Sequence, residues 1–157
     1  MGKFNDNISA EYHPPRKWIL ERALSYTNAD LDVDSLKEIG VQVTKDGKIT
    51  CKKGFVTDLA SVPRICWMLI APWDIARAAI IHDLLYKRIR QYRAKINVDI
   101  PQYYEIDNYK AAKKEADKVF LAAMKDADPS VPKWKIMSAY YSVVLFGRWS
   151  IIPREED

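Results

Sequence analysis

The sequence predicts an α+β fold in which a small antiparallel sheet from the N-terminal half packs on three to four helices from the C-terminal half. Apolar segments in the first half are short and are separated by turn signals such as Asp46-Gly47, a pattern that favours hairpins. Apolar residues in the second half recur every three or four positions over long stretches, which indicates helices with one buried face.

The size and composition of the chain predict one ordered domain. Its 157 residues can bury a core without metals or disulfides, and we expect that core over about 15–147, followed by a loosely held tail at 148–157. Cys51 and Cys66 lack partners at metal-ligand spacing, which favours an intracellular protein without disulfides. The N-terminus does not resemble a secretion signal, and the apolar runs fall well short of the roughly 20 residues that span a membrane. We therefore expect a soluble protein without a transmembrane segment.

In the N-terminal half we predict strands, loops and turns. The segments in order are 17–27 as a strand or a short helix, 28–37 as a polar loop, 41–43 and 49–52 as a hairpin, and 55–59 as an extended segment.

In the C-terminal half we predict helices at 62–70, at 74–92 with Asp74 as its N-cap, at about 106–125, and at about 133–146, where Gly147 ends the helix. A polar and tyrosine-rich connection is expected at 94–104.

A histidine beside a carboxylate, His82-Asp83, is the most informative feature of the sequence. His82 falls on the inward stripe of its helix, Asp83 lies about 100° round the helix near the edge of that stripe, and Tyr86 follows one turn later. Asp117 lies on a helix expected to pack antiparallel to the first. Its carboxylate could accept the imidazole N–H and so fix the tautomer and raise the basicity of the ring. The alternative is a core histidine with satisfied hydrogen bonds.

A second polar cluster precedes the first helix of the C-terminal half. Thr57 and Ser61 are interpreted as groups that bond the local backbone and cap the helix. Asp58 has two open interpretations, either as a cap or, together with Asp83, as a ligand of a divalent cation. Arg64 is a candidate anion-binding residue.

Basic residues are concentrated directly after the histidine motif. Lys87, Arg88, Arg90, Arg93 and Lys95 fall within nine residues of one another. They could bind phosphate, nucleic acid or lipid headgroups, or they could form the solvated end of a helix, where the helix dipole favours cations. The formal net charge of +4 is mild, so we favour the second interpretation and do not expect a nucleic-acid partner.

Three motifs together resemble an uncharacterised family of tailed phages and prophages that is described only as a domain of unknown function. They are TDLASVPR at 57–64, IIHDLLY at 80–86 and EADKVF at 115–120. The resemblance covers about 50–125. It implies a phage origin and supplies no established activity.

A further resemblance concerns mechanism. HD-x-x-Y, followed on the next long helix by D-x-x-F, is similar to the paired helices of secretory phospholipases A, especially the bacterial forms. The resemblance implies that His82 is the water-activating base, that Asp83 binds calcium, that Asp117 orients His82, and that Tyr86 supports Asp117. The chain departs from those enzymes because it lacks their Gly-rich calcium loop and the cysteines that cross-link their helices.

Two main hypotheses follow. The first is a phage hydrolase that acts on a lipid ester or a peptidoglycan bond of the host envelope, and it requires that water reach His82. The second is a non-enzymatic structural or adaptor protein of the virion, in which the same residues form a buried network and the partners are other virion proteins. Binding of nucleic acid ranks last. We expect the protein in the host cytoplasm when made, with the virion as a further destination.

Overall fold

The computed structural model describes residues 1–59, 72–99, 105–127 and 130–155. The protein is α+β, as predicted. Its strands are β1 (Lys3–Phe4), β2 (Ala10–His13), β3 (Lys17–Leu20), β4 (Leu24–Thr27), β5 (Lys48–Cys51) and β6 (Val56–Thr57). Its helices are α1 (Val33–Glu38), α2 (Pro72–Asp99), α3 (Glu105–Lys125) and α4 (Lys133–Ser150). The helix predicted at 62–70, with Ser61, Arg64 and Cys66, lies outside the described residues.

The strands form two antiparallel sheets of three strands each, where the sequence predicted one. Their orders are β1-β4-β5 and β2-β3-β6. The segment predicted as a single element at 17–27 is two strands, and each belongs to a different sheet. Exposed Glu21 and Arg22 interrupt its apolar pattern, and the chain crosses from one sheet to the other at this point. The turn of the predicted hairpin forms, and the Thr44 backbone N–H donates to the Lys48 carbonyl across it at 3.2 Å. Strand pairing in this hairpin is limited to the bridge between Val43 and Ile49, because β5 pairs mainly with β4.

Helix α1 occupies part of the segment that was predicted to be a polar loop. The side chain of Asp32 caps it by accepting hydrogen bonds from the Ser35 backbone N–H at 3.1 Å and the Ser35 hydroxyl at 2.7 Å. Leu36 is its one buried residue. A helix this short cannot show the repeated apolar spacing by which longer helices are predicted.

Helix α3 matches its predicted limits, whereas α2 and α4 extend beyond theirs. Helix α2 begins at Pro72 instead of Asp74 and continues through most of the predicted 94–104 connection. Helix α4 passes through Gly147 and ends at Ser150, so the prediction that Gly147 ends it was wrong. Gly147 is buried, and a Cβ atom at this position would overlap the Tyr86 hydroxyl. This glycine therefore permits close approach of α4 to α2 and does not terminate the helix.

One core joins the sheets and the helices. Its largest fully buried side chains include Tyr26, Ile49, Leu85 and Phe120. Phe4 and Ile151 also belong to the core, which corrects the predicted limits of 15–147 and the prediction of a loose tail from 148. None of the helices in the described residues combines the length and apolar character needed to cross a membrane.

Candidate functional site

The predicted pair of His82 and Asp117 forms across the interface between α2 and α3. The Nε2 atom of His82 lies 3.1 Å from Oδ1 of Asp117. The histidine is 0% exposed and the aspartate 3% exposed. The inward position of His82, and Asp117 as its partner, are thus confirmed.

Two further side chains hold the carboxylate of Asp117. The Tyr86 hydroxyl donates to Oδ1 at 2.7 Å, and the Lys113 ammonium donates to Oδ2 at 2.6 Å. Burial by itself would raise the pKa of Asp117, but the hydrogen bonds that it accepts from His82, Lys113 and Tyr86 prevail and lower the pKa below the ordinary value. Asp117 is therefore ionised at neutral pH. We call His82, Tyr86, Lys113 and Asp117 the buried network.

The ionised carboxylate determines the tautomer of His82. A carboxylate only accepts hydrogen bonds, so Nε2 carries a hydrogen and donates a hydrogen bond to Asp117. In a neutral ring, Nδ1 is then the basic nitrogen. This buried atom has no hydrogen-bond partner among the described residues, and the ring packs against Tyr86 and Phe120 at centroid distances of 4.0 and 4.7 Å. An imidazole oriented at one nitrogen and unpaired at the other has the arrangement of a general base.

Tyr86 supports the carboxylate as a hydrogen-bond donor. Burial, followed by the negative charge of Asp117, raises the pKa of its hydroxyl far above the ordinary value. The hydroxyl therefore keeps its proton at neutral pH. Because it contacts Asp117, its role in the network is to position that carboxylate.

Asp83 faces a different environment from His82. It lines a small polar pocket of about 40 Å³ together with Asp58, so the two carboxylates predicted to face each other do share a pocket. The hydroxyl of Thr57 donates to Oδ2 of Asp83 and also accepts from the backbone N–H of Leu59 at 3.1 Å. The predicted bond from Thr57 to the backbone is thus confirmed. We call this the Asp83 pocket.

The lining of the Asp83 pocket combines negative and positive side chains. Calcium and magnesium sites in proteins are built from oxygen ligands. Besides its two carboxylates, this pocket is lined by the cationic Lys87, Arg90 and Arg154. No group of three or more potential metal ligands forms within the described ranges, 1–59, 72–99, 105–127 and 130–155. We therefore derive no chemical step through a metal, and the proposed ligand roles of Asp58 and Asp83 stay predictions.

Most residues of the buried network and the Asp83 pocket lie in a segment of the chain that matches a known family. The family model described as "Protein of unknown function (DUF1353)" matches residues 35–143. The chain belongs to the DUF1353 family. Searches of curated proteins and of solved structures found no match.

The DUF1353 match contains all four residues of the buried network and both carboxylates of the pocket. Gly147, Ser150 and Arg154 follow its end. Helix α4 therefore contributes groups beyond the matched segment to Tyr86 and to the rim of the pocket.

Sequence reasoning missed one member of the network in this DUF1353 protein. Lys113 precedes Asp117 by four positions, a spacing that places the two side chains on the same helix face. That signal was available in the sequence. The role of Gly147 was not available, because its contact with Tyr86 is visible only once α4 is placed against α2.

The basic cluster on α2 contributes to the fold of this DUF1353 protein. Arg90 Nη1 donates to the Ser150 carbonyl at 3.2 Å, and Arg93 Nη1 donates to the Ile151 carbonyl at 2.6 Å. These carbonyls close the C-terminus of α4, where the helix dipole favours positive charge. The cluster is therefore not the solvated end of its own helix, as was predicted, because α2 continues to Asp99 and the two arginines bind the end of α4 instead.

Proposed function

We propose that this protein is a phage-encoded hydrolase in which His82 activates water. One observation is the main support. Asp117 holds Nε2 of His82, Tyr86 and Lys113 hold Asp117, and Nδ1 has no partner in the described part of the chain. A supported carboxylate that holds one nitrogen of an imidazole, with the other nitrogen unpaired, is the arrangement expected for an oriented general base.

The proposed reaction begins with the transfer of a proton from water to Nδ1 of His82. The water oxygen attacks the carbonyl carbon of an ester or amide, and the negative charge of Asp117 stabilises the imidazolium ion that forms. The imidazolium then returns the proton to the leaving oxygen or nitrogen as its bond to the carbonyl carbon breaks. Tyr86 and Lys113 keep the carboxylate in place throughout.

The unpaired nitrogen favours this proposal over a purely structural network. Buried polar atoms in proteins nearly always have a partner, and leaving one without costs about 1–3 kcal/mol. An atom that accepts a proton from water during a reaction needs no protein donor beside it, which is consistent with the unpaired Nδ1.

The second candidate is a non-enzymatic component of the virion, and a specific observation favours it. His82 is 0% exposed, whereas the hydrolase requires that water and a substrate reach Nδ1. In this case the buried network serves to fix the pairing of α2 with α3.

The two histidines of the chain provide a matched experiment. The His82→Gln variant removes the proposed base, while His13→Gln changes an exposed histidine that pairs with Glu11. Hydrolysis is measured on phosphatidylglycerol vesicles, a chromogenic short-chain ester and purified peptidoglycan, with circular dichroism to confirm folding.

The proposal expects wild-type protein and His13→Gln to hydrolyse at least one of these substrates and a folded His82→Gln to lose at least 100-fold in rate. Full activity of His82→Gln contradicts it. The structural candidate instead expects no activity in any variant and a loss of stability confined to His82→Gln.

The phage origin is a further part of this proposal and rests on the motifs TDLASVPR and HDLLY. The location follows from it, with synthesis in the host cytoplasm and the virion as a further destination. Quantitative mass spectrometry of purified phage particles tests the structural candidate, which expects a fixed copy number of this chain per particle. Absence from particles excludes that candidate.

A further inference from the structure

Helix α4 exposes an unusually large apolar surface. Among the described residues, seven of the ten exposed large hydrophobic side chains lie between 134 and 152. Four of them form a stripe on the helix, with exposures of 55% for Trp134, 56% for Tyr141, 62% for Leu145 and 53% for Trp149. We call these four residues the outer face of α4. Large side chains grouped this way on a surface mark an interaction site.

The outer face is continuous along the helix. At 100° per residue, its four members fall within an arc of about 80°. The residues that α4 buries are Ile136, Ala139, Ser142, Val143 and Gly147. The helix thus uses its smaller residues to pack on the domain and directs aromatic and leucine side chains away from it.

The charges of α4 are all positive. Lys133, Lys135 and Arg148 lie on this helix, and it contains no aspartate or glutamate. Two of these cations sit over tryptophans, with Lys135 Nζ 5.8 Å from the Trp134 ring centroid and Arg148 Cζ 4.1 Å from that of Trp149. Positive charge therefore flanks both ends of the apolar stripe.

This charge distribution disfavours a second copy of the chain as the occupant of the outer face. If two α4 helices packed antiparallel, Lys133 and Lys135 of each would approach Arg148 of the other. In a parallel pair, each cation would approach its own equivalent. Either arrangement brings like charges together, which weakens association.

An anionic bilayer surface matches both the apolar stripe of α4 and the positive charge that flanks it. Tryptophan, tyrosine and leucine on one face of a helix insert at the boundary between headgroups and acyl chains, and flanking lysine and arginine attract anionic headgroups. We propose that the outer face of α4 binds the surface of membranes that contain anionic phospholipid. The helix would lie in the plane of the interface without crossing it.

The Asp83 pocket lies on the other side of α4 from the outer face. Ser150 lines that pocket, and it falls about 100° round the helix from Trp149, among the residues that α4 buries. The binding proposal does not depend on hydrolysis, since it concerns only association with a surface.

The test is flotation of the full-length protein with vesicles of phosphatidylcholine alone or mixed with phosphatidylglycerol. We expect binding to the mixed vesicles, little binding to phosphatidylcholine, and a decrease with added salt. The double variant Leu145→Ser, Trp149→Ser should weaken binding at least tenfold, because two large side chains no longer insert. Arg148→Glu should weaken it about fivefold or more, since about 1 kcal/mol of attraction per cation is lost and a repulsive charge is added.

Matched controls use exposed residues elsewhere. Tyr12→Ser removes an aromatic side chain that is 49% exposed on β2, and Lys110→Glu reverses an exposed charge on α3. Neither should change binding by more than twofold. Circular dichroism of every variant confirms that the fold is kept.

Three results overturn the proposal. The first is the absence of binding to mixed vesicles by folded wild-type protein. The second is equal weakening by the control variants. The third is a dimer in analytical ultracentrifugation that Leu145→Ser, Trp149→Ser dissociates, since the outer face would then be a contact between copies. All three are independent of the hydrolysis assays.

Discussion

His82 and Asp83 are neighbours in the chain, yet they lie in different surroundings. His82 is fully buried in a network whose carboxylate has three partners. Asp83 lines a polar pocket that also contains Asp58 and cationic side chains. Because adjacent helix residues point about 100° apart, one dipeptide can supply both a dry hydrogen-bonded network and a solvent-facing carboxylate.

This difference means that Asp117, which holds His82, and Asp83 should respond differently to loss of the carboxylate. A carboxylate in the buried network has no water to replace a lost partner, whereas one in the pocket does. Asp117 should therefore be costly to alter, whereas Asp83 should tolerate substitution. The predictions below test that contrast, from the largest effect to the smallest.

The largest effect is expected from Asp117→Ala. It leaves His82, Tyr86 and Lys113 without their common acceptor, and removing one member of a buried charged cluster costs about 3–5 kcal/mol in the free energy of unfolding. Urea denaturation followed by circular dichroism measures it. A cost below about 1 kcal/mol would show that water already solvates this network.

A smaller effect is expected from Gly147→Ala. The added methyl group overlaps the Tyr86 hydroxyl and must push α4 and α2 apart or displace Tyr86 from Asp117. Overpacking of this kind costs about 1–3 kcal/mol.

The double variant Gly147→Ala, Tyr86→Phe provides the control for that effect. Removal of the hydroxyl takes away the atom that overlaps the new methyl group, so the combined loss should be smaller than the sum of the two single losses. Simple additivity would mean that the methyl group is accommodated without contact with Tyr86.

The next effect concerns pH. The pKa of Asp117 is lower in the folded protein than in an unfolded chain, so its ionised form stabilises the fold. That stability is fully present above the unfolded carboxyl pKa of about 4 and is lost as the pH falls through the folded pKa. Wild-type protein should therefore lose more stability between pH 6 and pH 3 than Asp117→Asn does.

Part of the acid sensitivity should survive in that variant. Hydrogen bonds from Ser35 lower the pKa of Asp32, and a hydrogen bond from Thr44 lowers that of Asp46. Both carboxyls act in the same direction as Asp117. Identical pH dependence of the wild type and Asp117→Asn would contradict the lowered pKa of Asp117.

The sequence was informative about the buried network because helical periodicity is a local signal. The spacing of apolar residues placed His82 inward and Asp83 at the edge, and both positions are confirmed. The partner Asp117 followed from the expectation that consecutive helices pack antiparallel. A four-residue spacing could have added Lys113 by the same reasoning.

The fold of the N-terminal half was less predictable, because strand pairing depends on contacts distant in sequence. Residues 17–27 gave one apolar signal, but the chain divides them between two sheets. Strand β1 has only two residues, of which Phe4 alone is buried, so it has no periodicity to detect. The contact of Gly147 with Tyr86 likewise depends on how two helices meet and not on either one alone.

The smallest effect is expected from Asp83→Asn, which makes the contrast within the motif quantitative. The amide oxygen can still accept from the Thr57 hydroxyl, and water in the pocket can solvate what the carboxylate loses. We expect a loss below about 1 kcal/mol, measured by the same urea denaturation as for Asp117→Ala. A loss as large as that of Asp117→Ala would contradict the contrast, because it would mean that the fold depends on the charge of Asp83 as strongly as on that of Asp117. A small loss would mean that stability depends on the inward residues of the helix. The outward carboxylate of Asp83 would then be free to bind a ligand in the pocket.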